Sequence, residues 1–175
     1  MIYIKNDNVI IRSMEETDAV KLEKCFREQN WNKPLEVLEK YYQEQISNKR
    51  YVFIAELIGE TAGYTTLLPS AVCGPFASEE LPEITDFNVF IKFQRRGIGN
   101  KLLDAAEQEA TKIKSAVSLG VGLHYGYGTA QRMYVKRGYV PDGSGVWYMN
   151  KQLEQYADCN NNDDLVLFLS KKLDV

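Results

Sequence analysis

The run Gln94-Arg95-Arg96-Gly97-Ile98-Gly99-Asn100 stands between an apolar stretch, Phe87–Phe93, and a helical pattern that begins near Gly99. Two glycines let a ligand approach the backbone without a Cβ in the way, and the first-turn N–H groups of a helix have no intrahelical partners. Anionic oxygens are received at such a place, and Arg95 and Arg96 add charge-assisted contacts. The run therefore reads as a pyrophosphate cradle at a strand-to-helix turn. It has neither the Gly-Lys-Ser/Thr ending of the nucleoside-triphosphate loop nor the third glycine of the dinucleotide fingerprint. A different nucleotide-bearing ligand is implied.

The elements that must hold this cradle follow from periodicity. Val9–Arg12 reads as a strand. Ser13-Met14-Glu15-Glu16 has the form of a capping box opening a helix with Val20, Leu22, Cys25 and Phe26 inward. Leu35, Val37, Leu38, Tyr41 and Tyr42 mark a second helix, with Pro34 suited to its first turn. Tyr51–Leu57 and Thr61–Leu68 flank Ile58-Gly59-Glu60 as a β-hairpin. The segment 69–82, with Pro69, Gly74, Pro75 and Pro82, reads as a long loop, either a substrate lid or a disordered surface connection.

A strand over Ile84–Ile91 leads to the cradle. Beyond it, Ile98, Leu102, Leu103, Ala106, Ala110 and Ile113 form the stripe of an amphipathic helix, with Lys101, Asp104, Glu107 and Glu109 outward. Val117–Leu123, a helix over Ala130–Arg137, a turn and strand over Tyr139–Tyr148, and a strand over Leu165–Ser170 complete the order. The last strand is read as an edge or exchanged one, which leaves a homodimer open. The sum is a mixed, mostly antiparallel α/β sheet flanked by helices, a single domain over residues 1–175 with its core at about 9–149.

Composition narrows the class further. With 175 residues and 45% hydrophobic content the chain can bury a core without metal or disulfide staples. A net charge of −3 and a pI near 5.3 oppose a nucleic-acid footprint. Cys25, Cys73 and Cys159 are odd in number and share no metal-ligand spacing with the one histidine, so no metal and a reducing cytoplasmic setting are expected. Met1–Asp7 lacks an apolar leader after a basic start, and no stretch nears the roughly 20 apolar residues of a membrane span.

The cradle's Gln/Arg-x-x-Gly-x-Gly/Ala pattern resembles the coenzyme A signature of the GCN5-related N-acetyltransferases (GNAT family). Gly63-Tyr64 is similar to the family's central hairpin. Ala130, Tyr134, Gly138 and Tyr139 are similar to its Ala-x-x-x-Tyr-x-x-x-Gly-Phe/Tyr segment. The resemblance covers roughly Val9 to Met149. It implies acetyl-CoA as cosubstrate, an amine as acceptor, and a splayed strand pair in which the backbone of Val89, Phe90 and Ile91 pairs with the pantetheine arm.

Transfer of acetyl to an amine needs a neutral amine, a donor to the developing oxyanion and a proton for the leaving thiolate. The resemblance places Tyr134 near the coenzyme sulfur, as proton donor. It places Glu83 at the offset of the base in the histone-acetylating members. Asp86 competes with Glu83: strand alternation sends the two carboxylates to opposite faces unless a bulge intervenes. His124 stands beyond the strand Val117–Leu123, as a base or as a bystander. Tyr127 occupies the place where many members carry asparagine, so coenzyme contacts there do not transfer. Trp31, Tyr41, Tyr42 and the Tyr125–Gly128 loop, with Glu36, Glu39 or Glu44, are candidates to receive a cationic amine. A coenzyme-binding sensor or interaction module without turnover, and transfer to a hydroxyl, are the alternative readings.

Overall fold

In the computed structural model, residues 1–6 and 8–174 are described; Asp7 and Val175, the ends of the expected leader-free start and of the expected domain, lie outside them. The chain packs into two compact units, taken in turn.

The first unit comprises residues 1–68 and 85–109. Its strands are β1 (Ile2–Lys5), β2 (Val9–Ser13), β3 (Tyr51–Leu57), β4 (Glu60–Leu68) and, from Thr85 on, β5 (Glu83–Val89), neighbours in that order. β1 through β4 pair antiparallel. Ile58 (φ +51°) and Gly59 (φ +76°) turn β3 into β4, both in the left-handed region that a two-residue hairpin turn requires. Two helices separate β2 from β3: α1 (Asp18–Glu28) and α2 (Leu35–Ile46). Leu22, Phe26 and Leu38 are buried, as are Ile11, Phe53, Ile54 and Tyr64 of the strands. Each large apolar side chain so covered contributes roughly 1.5–3 kcal/mol.

The expected capping box does not form. Ser13 is still in β2, paired with Phe53, and α1 opens only at Asp18, whose carboxylate accepts the Glu15 N–H at 2.8 Å. The later start rotates the helix: Asp18 and Ala19 turn inward and Val20 is exposed. Pro34 stands just before α2 and not in its first turn. β5 ends at Val89, and Ile91 belongs to a single 3-10 turn, Ile91–Phe93, that precedes α3 (Ile98–Thr111). Glu107 and Glu109, expected outward, are buried, as are Ala105 and Ala106 beside them, so the apolar stripe does not mark the whole covered surface of α3.

The second unit comprises residues 69–84 and those from 110 onward. Here the start of β5 pairs parallel with β6 (Ala116–Gly122) through Glu83↔Ser118 and Ile84↔Leu119. The remaining strands are β7 (Val140–Tyr148), β8 (Lys151–Gln152) and β9 (Leu165–Lys172), in the order β6-β9-β7-β8 and antiparallel. α4 (Gly128–Lys136) lies between β6 and β7 in sequence. β9 is thus an interior strand of the chain, with seven residue pairs to β6, and not an edge one. Nor is the 69–82 segment a lid or a disordered connection. Its Ala71, Phe76 and Leu81 pack on Phe168 of β9, and Lys114 Nζ ties the Glu79 carbonyl at 2.6 Å. Among the described residues no helix is long and apolar enough to cross a membrane.

Candidate active site

The cradle sits at the head of α3. Ile91–Phe93 delivers the chain to Gln94, and the backbone then takes two left-handed residues, Arg95 (φ +61°) and Gly97 (φ +77°), before Ile98 starts the helix. A Cβ at Gly97 would have no atom within 4 Å, so the space above the loop is open. Arg95, Arg96 and Asn100 are exposed while Ile98 is buried as the anchor. A helix N-terminus and two exposed guanidinium groups beside open space suit a pyrophosphate.

The backbone leading to the cradle is partly committed. Phe90 N–H donates to the Ala62 carbonyl of β4 at 3.0 Å, and Ile91 N–H to Gln29 Oε1 at 3.0 Å. Strand alternation then turns the Val89 N–H and carbonyl away from β4, and that carbonyl accepts the Gln94 side-chain amide at 3.1 Å. Gly63 makes this approach close: a Cβ there would stand 2.3 Å from the Asn88 carbonyl oxygen.

Asp86 breaks the alternation of β5. Its φ of +49° is a bulge-like left-handed residue inside a strand, and it brings the Asp86 and Thr85 side chains into one polar cluster. Asp86 Oδ2 accepts from Lys33 Nζ at 2.5 Å, Tyr64 Oη at 2.7 Å and Tyr41 Oη at 2.9 Å, and Oδ1 accepts from Asn88 Nδ2 at 3.0 Å. Arg50 donates to Thr66 Oγ1, Thr85 Oγ1 and Glu44 Oε2. Its guanidinium lies 4.5 Å from the centre of the Tyr41 ring, with the Lys33 ammonium at 5.5 Å from the same ring. Burial, reinforced by the Asp86 charge, pushes both phenols above the ordinary tyrosine range, so Tyr41 and Tyr64 remain donors to the carboxylate.

In the second unit, Glu83 is buried at the start of β5, opposite Ser118, whose hydroxyl donates to the Pro82 carbonyl. Tyr134 is buried on α4, its ring tilted against Tyr139 with centroids 5.7 Å apart. Burial, with a smaller contribution from Tyr127, raises its phenol well above the usual value, so Tyr134 keeps its proton.

His124 is engaged at both ring nitrogens. Nδ1 accepts the Gly126 N–H at 3.0 Å, so Nε2 carries the proton that faces Asp163 Oδ1 at 3.0 Å. Asp163 also accepts from Tyr127 Oη at 3.0 Å, and the bonds from His124 and Tyr127 hold its carboxyl below the usual range. With its acceptor nitrogen used to cap the 125–127 turn, His124 has a structural task there. Tyr127 lies close against Gly122, where a Cβ would meet the ring at 2.3 Å.

Lys33, Arg50 and Asn88 escaped the sequence reading, and Tyr64 entered it only as a mark of the hairpin. Lys33 lies in an aperiodic loop and meets Asp86 across 53 positions, a pairing that local pattern does not signal.

The chain belongs to the GNAT acetyltransferases: residues 15–148 match the family model described as an acetyltransferase (GNAT) domain. In sequence, no curated protein matches it. Among solved structures it is similar to the Salmonella typhimurium acetyltransferase that modifies the N-terminal serine of the 50S ribosomal protein L7/L12. The TM-score is 0.73 at 11% identity, over 99% of this chain and 100% of that one. It is also similar to an N-acetyltransferase of Staphylococcus aureus Mu50, with TM-score 0.70 and 16% identity over 96% and 100% of the two chains. A Salmonella typhimurium protein called yncA, assigned as an acetyltransferase and solved with its cofactor acetyl-CoA, has TM-score 0.68 at 16% identity over 96% and 95%. At such identities the likeness carries the fold, a mixed and mostly antiparallel sheet flanked by helices.

Proposed function

We propose that this protein is a cytoplasmic, acetyl-CoA-dependent N-acetyltransferase, acting as one domain, that moves acetyl to a primary amine by direct attack, without a covalent enzyme intermediate. One observation carries the reading: the left-handed Gly97 with open space beside it, at the N-terminus of α3 and flanked by Arg95 and Arg96. Gln94 through Asn100 would hold the pyrophosphate, and the outward-turned backbone of Val89 would pair with the pantetheine amides. Bound there, acetyl-CoA supplies an acetyl carbonyl activated as a thioester.

The chain's own groups divide the remaining work. Tyr134, kept protonated by burial, holds at its Oη the proton the family assigns to the leaving sulfur. Glu83 is the base that relieves the acceptor ammonium of its proton. Asp86 is less suited to that task, since its carboxylate already accepts from four side chains. Calorimetric titration with acetyl-CoA beside free CoA tests the cradle. Binding in about the micromolar range is expected for both ligands; no binding of either makes the loop an ordinary strand-to-helix turn.

A further inference from the structure

We infer that Asp86, Tyr41 and Tyr64 form a recognition site for an unbranched primary alkylammonium ion, and that Lys33 is its tethered internal occupant, displaced when an acceptor binds. The inference rests on the N-acetyltransferase reading and names its substrate class.

The geometry is that of an ammonium seat. A carboxylate oxygen receives the charge at 2.5 Å, two phenols fix that carboxylate from the other directions, and the Tyr41 ring offers its face at 5.5 Å. Asp86 reaches this position by adopting φ +49° inside a strand, a conformation that costs a non-glycine residue and is retained where the surroundings over-determine it. The seat is not sealed, with the side chains of Lys33 and Asp86 at 21% and 18% exposure.

What fills it is a CH2–NH3+ end on a straight alkyl stem, delivered by the short connection between α1 and α2. A polyamine or a lysine-like side chain presents the same end. An α-ammonium presents a branched carbon bearing a carbonyl, unlike the straight Lys33 stem whose ammonium meets Asp86. The expected acceptors are therefore alkylamines and not protein N-termini.

The test uses the full-length chain, with butane-1,4-diamine and alaninamide as probes followed by calorimetry, and amine-dependent thiol release as a second readout. Lys33→Met keeps the stem's volume and frees Asp86. It is expected to tighten butane-1,4-diamine binding about tenfold, with a matching fall in KM, and to leave alaninamide weak. Lys33→Arg retains a cation in the seat and is expected to bind the diamine as the wild type does. It also keeps the test decisive should Lys33→Met not fold, because an Arg variant that gained diamine affinity would contradict the occupant role. Adding Asp86→Asn to Lys33→Met is expected to abolish the gain.

Equal diamine affinity in wild type and Lys33→Met would overturn the inference, as would a preference for alaninamide. Failure of the underlying reading looks different: acetyl-CoA does not bind the wild type, or no amine elicits thiol release, whatever the diamine titrations show.

Discussion

The proton-donor role proposed for Tyr134 rests on its burial. A phenol removed from water resists ionisation, so it is in the protonated form throughout the neutral range. Tyr134→Phe removes one oxygen and keeps the packing. Turnover is expected to fall about 100-fold with acetyl-CoA affinity changed less than about twofold; unchanged turnover removes Tyr134 from the chemistry. At the proposed cradle, Gly97→Glu places a side chain and a negative charge in the open space at a left-handed φ. Loss of acetyl-CoA binding in calorimetry is expected, and retained affinity would contradict the phosphate assignment.

Among the elements, the contact between β4 and β5 is a tight constraint near the candidate site. Gly63 admits the Asn88 carbonyl where any Cβ would collide at 2.3 Å, and the collision is with backbone, which cannot swing aside. Gly63→Ala is expected to cost about 1–3 kcal/mol in urea unfolding and to weaken acetyl-CoA binding through the displaced Val89; a neutral result on both would refute the close-approach account.

The same elements show what sequence could convey. The hairpin was legible because its turn is local: Ile58-Gly59 lies between two apolar runs. The place of the Gln94–Gly97 turn before α3 was legible because glycine and arginine types bunch there. Ser13 misled because it has the composition of a helix cap while its backbone remains engaged with Phe53, a partner 40 positions away. Phe76 and Leu81 misled because loop composition around them hid two buried anchors for Phe168. Asp86 was legible as a carboxylate near the cradle. Its partners were not, since Lys33, Tyr41 and Tyr64 arrive from three other segments.

For the molecule's stability as a whole, the acid limb is set in part by a buried ion network in the first unit. Asp18 is fully buried and accepts two bonds from Arg12, whose guanidinium also reaches Glu56 at 2.6 Å. Burial alone would raise the Asp18 carboxyl, but the bonds from Arg12, the Glu15 N–H and Lys21 outweigh it, and its pKa is lowered. A carboxyl depressed in the folded state stabilises above its unfolded value, near 4, and that contribution drains away as pH falls through the folded value. Asp18→Asn is expected to cost about 3 kcal/mol at neutral pH, by leaving Arg12 short of a buried partner, and to flatten the decline of stability below about pH 4. An unchanged acid slope would place that decline elsewhere.

The most direct test of the central claim is acetyl-CoA-dependent release of free thiol by the purified protein, with and without a primary alkylamine, and the amine product weighed by mass spectrometry. Thiol release that requires the amine and equals the yield of N-acetylated product is expected. Tight acetyl-CoA binding with no amine-dependent thiol and no acetylated product would contradict it and leave the chain a coenzyme-binding module.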